Sequence, residues 1–118
     1  MDDRITKYLE DIKRSIQSIH DYLGDKRDFN EFQGNKLLKR GIEREFEIIG
    51  EAMNRILKIE PEINIKHAKR IVGLRNHIIH AYDSVLDEIL WGIIVNHLPK
   101  LQEEVKRLLN ESTNNKSE

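Results

Sequence analysis

Arg75 and His80 are the residues whose types and spacing best suit chemistry on a phosphate: a permanently charged guanidinium and, five positions on, an imidazole that can exchange a proton near neutral pH. They belong to a stretch, Lys66 to Tyr82, that also holds Lys66, His67, Lys69, Arg70 and His77 and has no carboxylate between Glu62 and Asp83. The chain as a whole carries a formal charge of −1, so this is a local positive patch on a balanced background. A phosphate-bearing partner would be drawn to it.

On a helix, the residues three and four positions from Arg75 are Ile71, Val72, Ile78 and Ile79, all apolar. A charge rising from an apolar stripe needs a carboxylate, a phosphate or a cleft, because burying it unpaired is costly. One ordinary solution is a stem packed in the core with the head paired to Glu47 or Glu51. The corresponding neighbours of His80 are Asn76, His77, Asp83 and Ser84, so this imidazole faces a hydrophilic surface, with Asn76 placed to fix its tautomer or to hold the same ligand. At about 100° per residue the two side chains lie roughly 140° apart. A reaching Arg, a distorted helix end or a second subunit would bring them to one site. Tyr82 taken alone is a half-buried tyrosine at a helix end.

The elements that must position these residues are helices. In Asp2 to Leu23, apolar residues at Ile5, Leu9, Ile12, Ile16, Ile19 and Leu23 form one stripe, with Asp2 or Asp3 as cap and Gly24 as stop. The segment 25–35 is a loop with one short helix near residues 28–33, its Phe29 and Phe32 tucked under a neighbour. A long helix from Lys36 to Ile59 carries Ile42, Phe46, Ile49, Met53 and Ile56. Gly50 inside it predicts a close backbone approach, and Glu43, Glu47 and Glu51 form an acidic row predicted to be solvated and paired with Arg44 and Arg55. A third main helix spans about 66–81. The fourth begins near Ser84 and is kinked at Pro99. His97, beside Ile93, Ile94, Leu98 and Leu101, is expected to be partly buried.

These elements make an all-α antiparallel bundle of four main helices, a single domain over residues 1–110 followed by a disordered tail, 111–118. A length of 118 residues fits one core, and 35% charged residues with few glycines and prolines favours helix. The chain has no cysteine, which excludes thiolate sites and fits a reducing cytoplasm. It has no apolar run long enough for a membrane span, so a soluble, cytoplasmic protein is expected.

The octet Arg75-Asn76-His77-Ile78-Ile79-His80-Ala81-Tyr82 matches R-x-x-x-x-H-x-Y, and through it the chain resembles HEPN domains of the HepT toxin-like family. The segment E-R-E-F-E-I-I-G-E-A within Ile42 to Ile56 looks like the family's second long helix, and L-D-E-I-L-W-G-I-I-V-N-H-L-P-K-L like its last. Many relatives place a Pro-Trp pair before the motif helix, where this chain has I-N-I-K-H-A-K-R-I. The resemblance implies a cofactor-free, metal-independent endoribonuclease of a type VII-like toxin–antitoxin system, acting on tRNA or mRNA as a homodimer. By position it makes Arg75 and His80 the catalytic pair, with Asn76 and His77 supporting and Lys66, Lys69 and Arg70 as an RNA-binding patch. It also implies a nucleotidyltransferase antitoxin partner of the MntA type, which transfers AMP to Tyr82.

The alternative is a non-catalytic helical module that holds a nucleotide or another substrate for a nucleotidyltransferase; it needs the cations and not His80. A metal site at His77, His80 and Asp83 is disfavoured by the want of a further ligand nearby. A DNA-binding regulator is disfavoured by the absence of a short helix, tight turn and recognition helix.

Overall fold

The computed structural model describes residues 1–25, 27–80 and 83–117, and of residues 75, 77, 79, 80, 83–85 and 114–117 the backbone alone. Among the described residues there are six helices and no strand: α1 (Asp3–Leu23), α2 (Phe29–Gly34), α3 (Lys36–Ile59), α4 (Ala68–His80), α5 (Asp83–Asn96) and α6 (Leu98–Ser117).

Side-chain caps set the first three helices. The Asp2 carboxylate accepts from the amide of Arg4 at 2.7 Å, Asp28 accepts from the amides of Asn30 and Glu31, and Asn35 accepts from that of Leu38. At the far end of α1, Gly24 turns the chain with φ +68°, a conformation that glycine adopts without strain. The short helix and its aromatics are as expected: Phe32 is fully buried and stacks on Trp91 of α5 with ring centres 5.4 Å apart, and Phe29 meets the same ring at 5.8 Å.

The main core lies between α1, α3 and α6. Leu9, Ile12, Ile16 and Ile19 face Ile42, Phe46, Ile49, Met53 and Ile56, with Leu98 and Val105 closing a third side. α1 and α3 run antiparallel. Tyr22, near the end of α1, donates to Glu45 near the start of α3 at 3.0 Å, and the charged acceptor raises the phenol's pKa. At the other end, Arg55 is held charged by Tyr8 and then by Glu51.

The kinked last helix predicted from sequence is instead two helices. The break falls at His97, because Pro99 has no N–H to offer and its ring would crowd the carbonyl four residues back; Pro is tolerated in the first turn of α6. The turn remains bonded, His97 N–H to the Ile93 carbonyl and Leu101 N–H to that of His97. α6 runs on to Ser117, past the Asn110 at which the sequence ends the domain, and the buried Ser112 has its hydroxyl 3.4 Å from that of Thr6. No helix among the described residues is long and apolar enough to cross a membrane.

Candidate active site

The motif helix is seated on α3 through a glycine. A β-carbon at Gly50 would lie 3.3 Å from the carbonyl oxygen of Ile71, closer than ordinary contact, so the close approach expected at Gly50 is made with α4. The eight-residue connection 60–67 makes α3 and α4 antiparallel neighbours. The register that sets Gly50 against Ile71 and Val72 carries the backbone of Arg75 to the level of Glu47, and that of Ile79 to the level of Glu43. Ile71, Val72 and Ile78 are half-buried against the core, as the apolar surroundings of position 75 require.

α4 begins two residues later than its apolar pattern predicts. The amide of Lys66 donates to the Glu104 carboxylate of α6 at 2.8 Å, so that α6 holds the chain just before α4 starts, and the first helical turn closes from Ile71 N–H to the His67 carbonyl. Lys66, Lys69 and Arg70 are all exposed, and none has an ion-pair partner among the described residues. Asn76 is exposed one turn before His80. The side chains of Arg75, His77 and His80, and Tyr82 entirely, lie outside the described residues. The α4 backbone is α-helical through His80, so the angle of about 140° between positions 75 and 80 stands, and no unwinding of that helix end closes it.

The acidic row behaves differently at its two ends. Glu51 accepts from Arg55 at 3.0 Å and Glu47 lies 3.5 Å from Arg44, the solvated pairs expected. Glu43 is a correction: it is buried and accepts from Arg40 at 2.8 Å. Four-residue steps on a helix advance about 40° each, so a row that is open to water at Glu51 has turned inward by Glu43. Nearby, the buried carboxylate of Asp87 takes the Lys39 ammonium at 3.2 Å and ties the start of α5 to the start of α3.

His97 also departs from expectation. It is exposed, and its ring stands edge-on to that of His67 with centres 6.0 Å apart. These two rings lie on the rim of an open groove of about 400 Å³ between α4 and the α5–α6 pair, to which α6 also brings Lys100 and Glu104. The spacing of Lys100 and Glu104 places them on one face of α6, with His97 just before its first turn in line with them, which periodicity could have shown; that this face meets α4 could not be read from either helix alone. Among the described residues no three His, Asp or Glu side chains gather as a metal site would require.

A basic helix bearing R-N-H-x-x-H at its end, seated antiparallel on a long helix of an all-α bundle, is the arrangement on which the family comparison bears. The model of the family described as ribonuclease HepT-like matches residues 5–108, from α1 well into α6. The chain belongs to the HepT-like family. A relative from Methanocaldococcus jannaschii, named as a candidate RNase, is 36% identical over 104 residues, covering 86% of this chain and 94% of its own. Another candidate RNase, from Caldanaerobacter subterraneus, is 36% identical over 85 residues, covering 69% and 73%. A protein of Thermococcus cleftensis named as a candidate ribonuclease HepT is 31% identical, covering 86% and 92%. No solved structure matches the chain at a comparable level.

Proposed function

We propose that this HepT-like protein is the toxin of a toxin–antitoxin pair and cuts RNA without a metal, with Arg75 and His80 as the catalytic pair. The observation that carries the reading is the motif's place: R-N-H-x-x-H occupies the end of α4, which alone among the described helices has several cations and no carboxylate, in a chain matched by a ribonuclease family over nearly its whole length. The chemistry asks for no more than these groups. An RNA 2′-hydroxyl attacks its own adjacent phosphate in line, and the 5′-oxygen leaves. His80 moves the proton as general base or acid, and Arg75 stabilises the charge that builds on the phosphoryl oxygens. The products are a 2′,3′-cyclic phosphate and a 5′-hydroxyl end. Lys66, Lys69 and Arg70 hold the flanking phosphates, and Asn76 and His77 support the pair.

In this reading a homodimer completes the site, since a second α4 facing the first supplies the group that a single helix turns away. The partner is a nucleotidyltransferase that places AMP on Tyr82, seven residues beyond Arg75 in the sequence. A phosphate there would compete with RNA for the guanidinium.

The test is cleavage of total RNA in EDTA by the parent chain, Arg75→Ala and His80→Ala on one gel. Cutting by the parent alone, with cyclic phosphate ends, supports the reading. Cutting by none, or equally by all three, removes it and leaves a module that binds RNA or nucleotide without acting on it. Tyr82 is then checked by mass after incubation with the partner and ATP.

A further inference from the structure

The open groove beside α4 is not accounted for by the catalytic motif. Its floor is apolar, built from Phe46 and Ile49 of α3, Ile71 and Leu74 of α4, and Ile93 and Leu101 beyond them. Its volume of about 400 Å³ falls within the range of small-ligand pockets. The rim is different in kind. Arg70 on α4 and Lys100 on α6 both line it, both are exposed, and neither has an ion-pair partner among the described residues. The His67 and His97 rings add flat surfaces, and Glu104, whose Oε2 accepts from the Lys66 amide, lines the same space.

An occupant matched to these walls has a flat, largely apolar body, an edge that can donate to a carboxylate, and an anionic group beside it. The geometry points to one nucleotide of a single-stranded RNA: its base enters the groove and stacks by the histidine rings, and its phosphate lies between Arg70 and Lys100. A base with an amino group, adenine, cytosine or guanine, can donate to Glu104, and uracil offers no such amine. Leu74, which lines the groove, directly precedes Arg75, and Arg70 lies only about 7 Å further down the axis of α4. The groove therefore holds a nucleotide neighbouring the bond to be cut. It selects unpaired RNA, because a base inside a duplex cannot be turned into it. That the nucleotide belongs to an RNA strand rests on the ribonuclease reading; the chemistry of the groove does not.

Gly73 supplies the test. It lines the groove, and a β-carbon added there meets nothing within 4 Å, so Gly73→Phe starts its ring from open space at the groove, in a helix that favours the change. A second variant, Arg70→Ala with Lys100→Ala, removes only exposed cations. Both are made in a His80→Ala background, which keeps the RNA intact, and are titrated with a short single-stranded RNA by anisotropy. AMP and UMP are titrated separately against the His67 and His97 imidazole resonances. Each variant is expected to weaken RNA binding about tenfold or more without lowering the melting temperature. AMP is expected to shift both resonances, and UMP less.

Undiminished RNA affinity in both variants, with silent imidazoles, overturns the proposal. If the parent still cuts RNA in that case, the groove falls and the ribonuclease stands. If AMP binds in the groove while RNA neither competes with it nor is cut by the parent, the site is one for free nucleotide and the strand is rejected. A change in oligomeric state on Gly73→Phe with no loss of RNA affinity would assign the groove to a second protein chain and overturn the proposal equally.

Discussion

The side of the bundle built by α1, α3 and α6 and the side built by α4 and α5 solve different problems. On the first, every inward position of α1 from Leu9 to Ile19 is sealed from water, and the facing row on α3 is sealed as completely. On the second, Ala68 and Leu74 are the only fully buried residues of α4 among the described side chains, with Ile71, Val72 and Ile78 half-covered. α4 is pressed against α3 on one flank and opens onto a groove on the other. The head of α5 is held through the buried Lys39–Asp87 pair as well as through apolar contact. Dense apolar burial supplies stability without specifying chemistry. A helix covered on one flank keeps its remaining faces free for a ligand, and the cost is a weaker hold on the bundle.

That contrast can be broken deliberately. Removing Arg75 or His80 is expected to lower RNA cleavage by about a hundredfold or more, with the melting temperature unmoved, because the proposed reaction asks these groups to act on the phosphate. Ile16→Ala should do the reverse. It opens a cavity in the sealed core and costs about 2–5 kcal/mol in a urea titration, while the folded fraction cuts RNA as before. A mutant of either kind that lost both properties together would show the two sides to be one cooperative device. The junction between them gives a sharper probe: Lys39→Met leaves the Asp87 carboxylate buried and unpaired, at a cost of about 3 kcal/mol. Adding Asp87→Leu should recover most of that loss. If the single variant is neutral, the ion pair does not anchor α5.

The sealed side was largely legible in the sequence, because there the periodicity of a single helix determines what is buried. The stripe of α1, its acidic cap and Gly24 stop, and the span and stripe of α3 follow from spacing and helix punctuation. So does Gly50, a glycine too costly in mid-helix to stand there without a near neighbour. The open side was less legible, because its features depend on how one helix rolls against another. Glu43 looked like its neighbours Glu47 and Glu51 until the drift of the row carried it inside. His97, predicted to be partly buried among its apolar neighbours, meets Lys100 and Glu104 at one groove only because α6 lies beside the start of α4. Pro99 announced a disturbance of the helix, and the structure makes it a break between α5 and α6 at His97 rather than a bend within one helix.

The smallest expected effect is the most discriminating, because it concerns two glycines in helices whose exposed positions alike favour alanine. At Gly73 a β-carbon meets open space, so Gly73→Ala gains helix propensity alone and should stabilise the protein by up to about 1 kcal/mol, seen as a rise of roughly 4 °C in melting temperature. At Gly50 the same change gains the same propensity but sets a methyl group 3.3 Å from the Ile71 carbonyl oxygen and within 4.0 Å of that of Val72. Both neighbours are backbone of the motif helix, which can give way only by moving α4 off α3. The gain should therefore vanish or change sign, and Gly50→Val, with two further methyl groups, should cost about 1–3 kcal/mol and lower RNA cleavage as well. Two alanine variants of equal and positive effect would mean that α4 is not held at Gly50, and the register that brings Arg75 level with Glu47 would have to be redrawn.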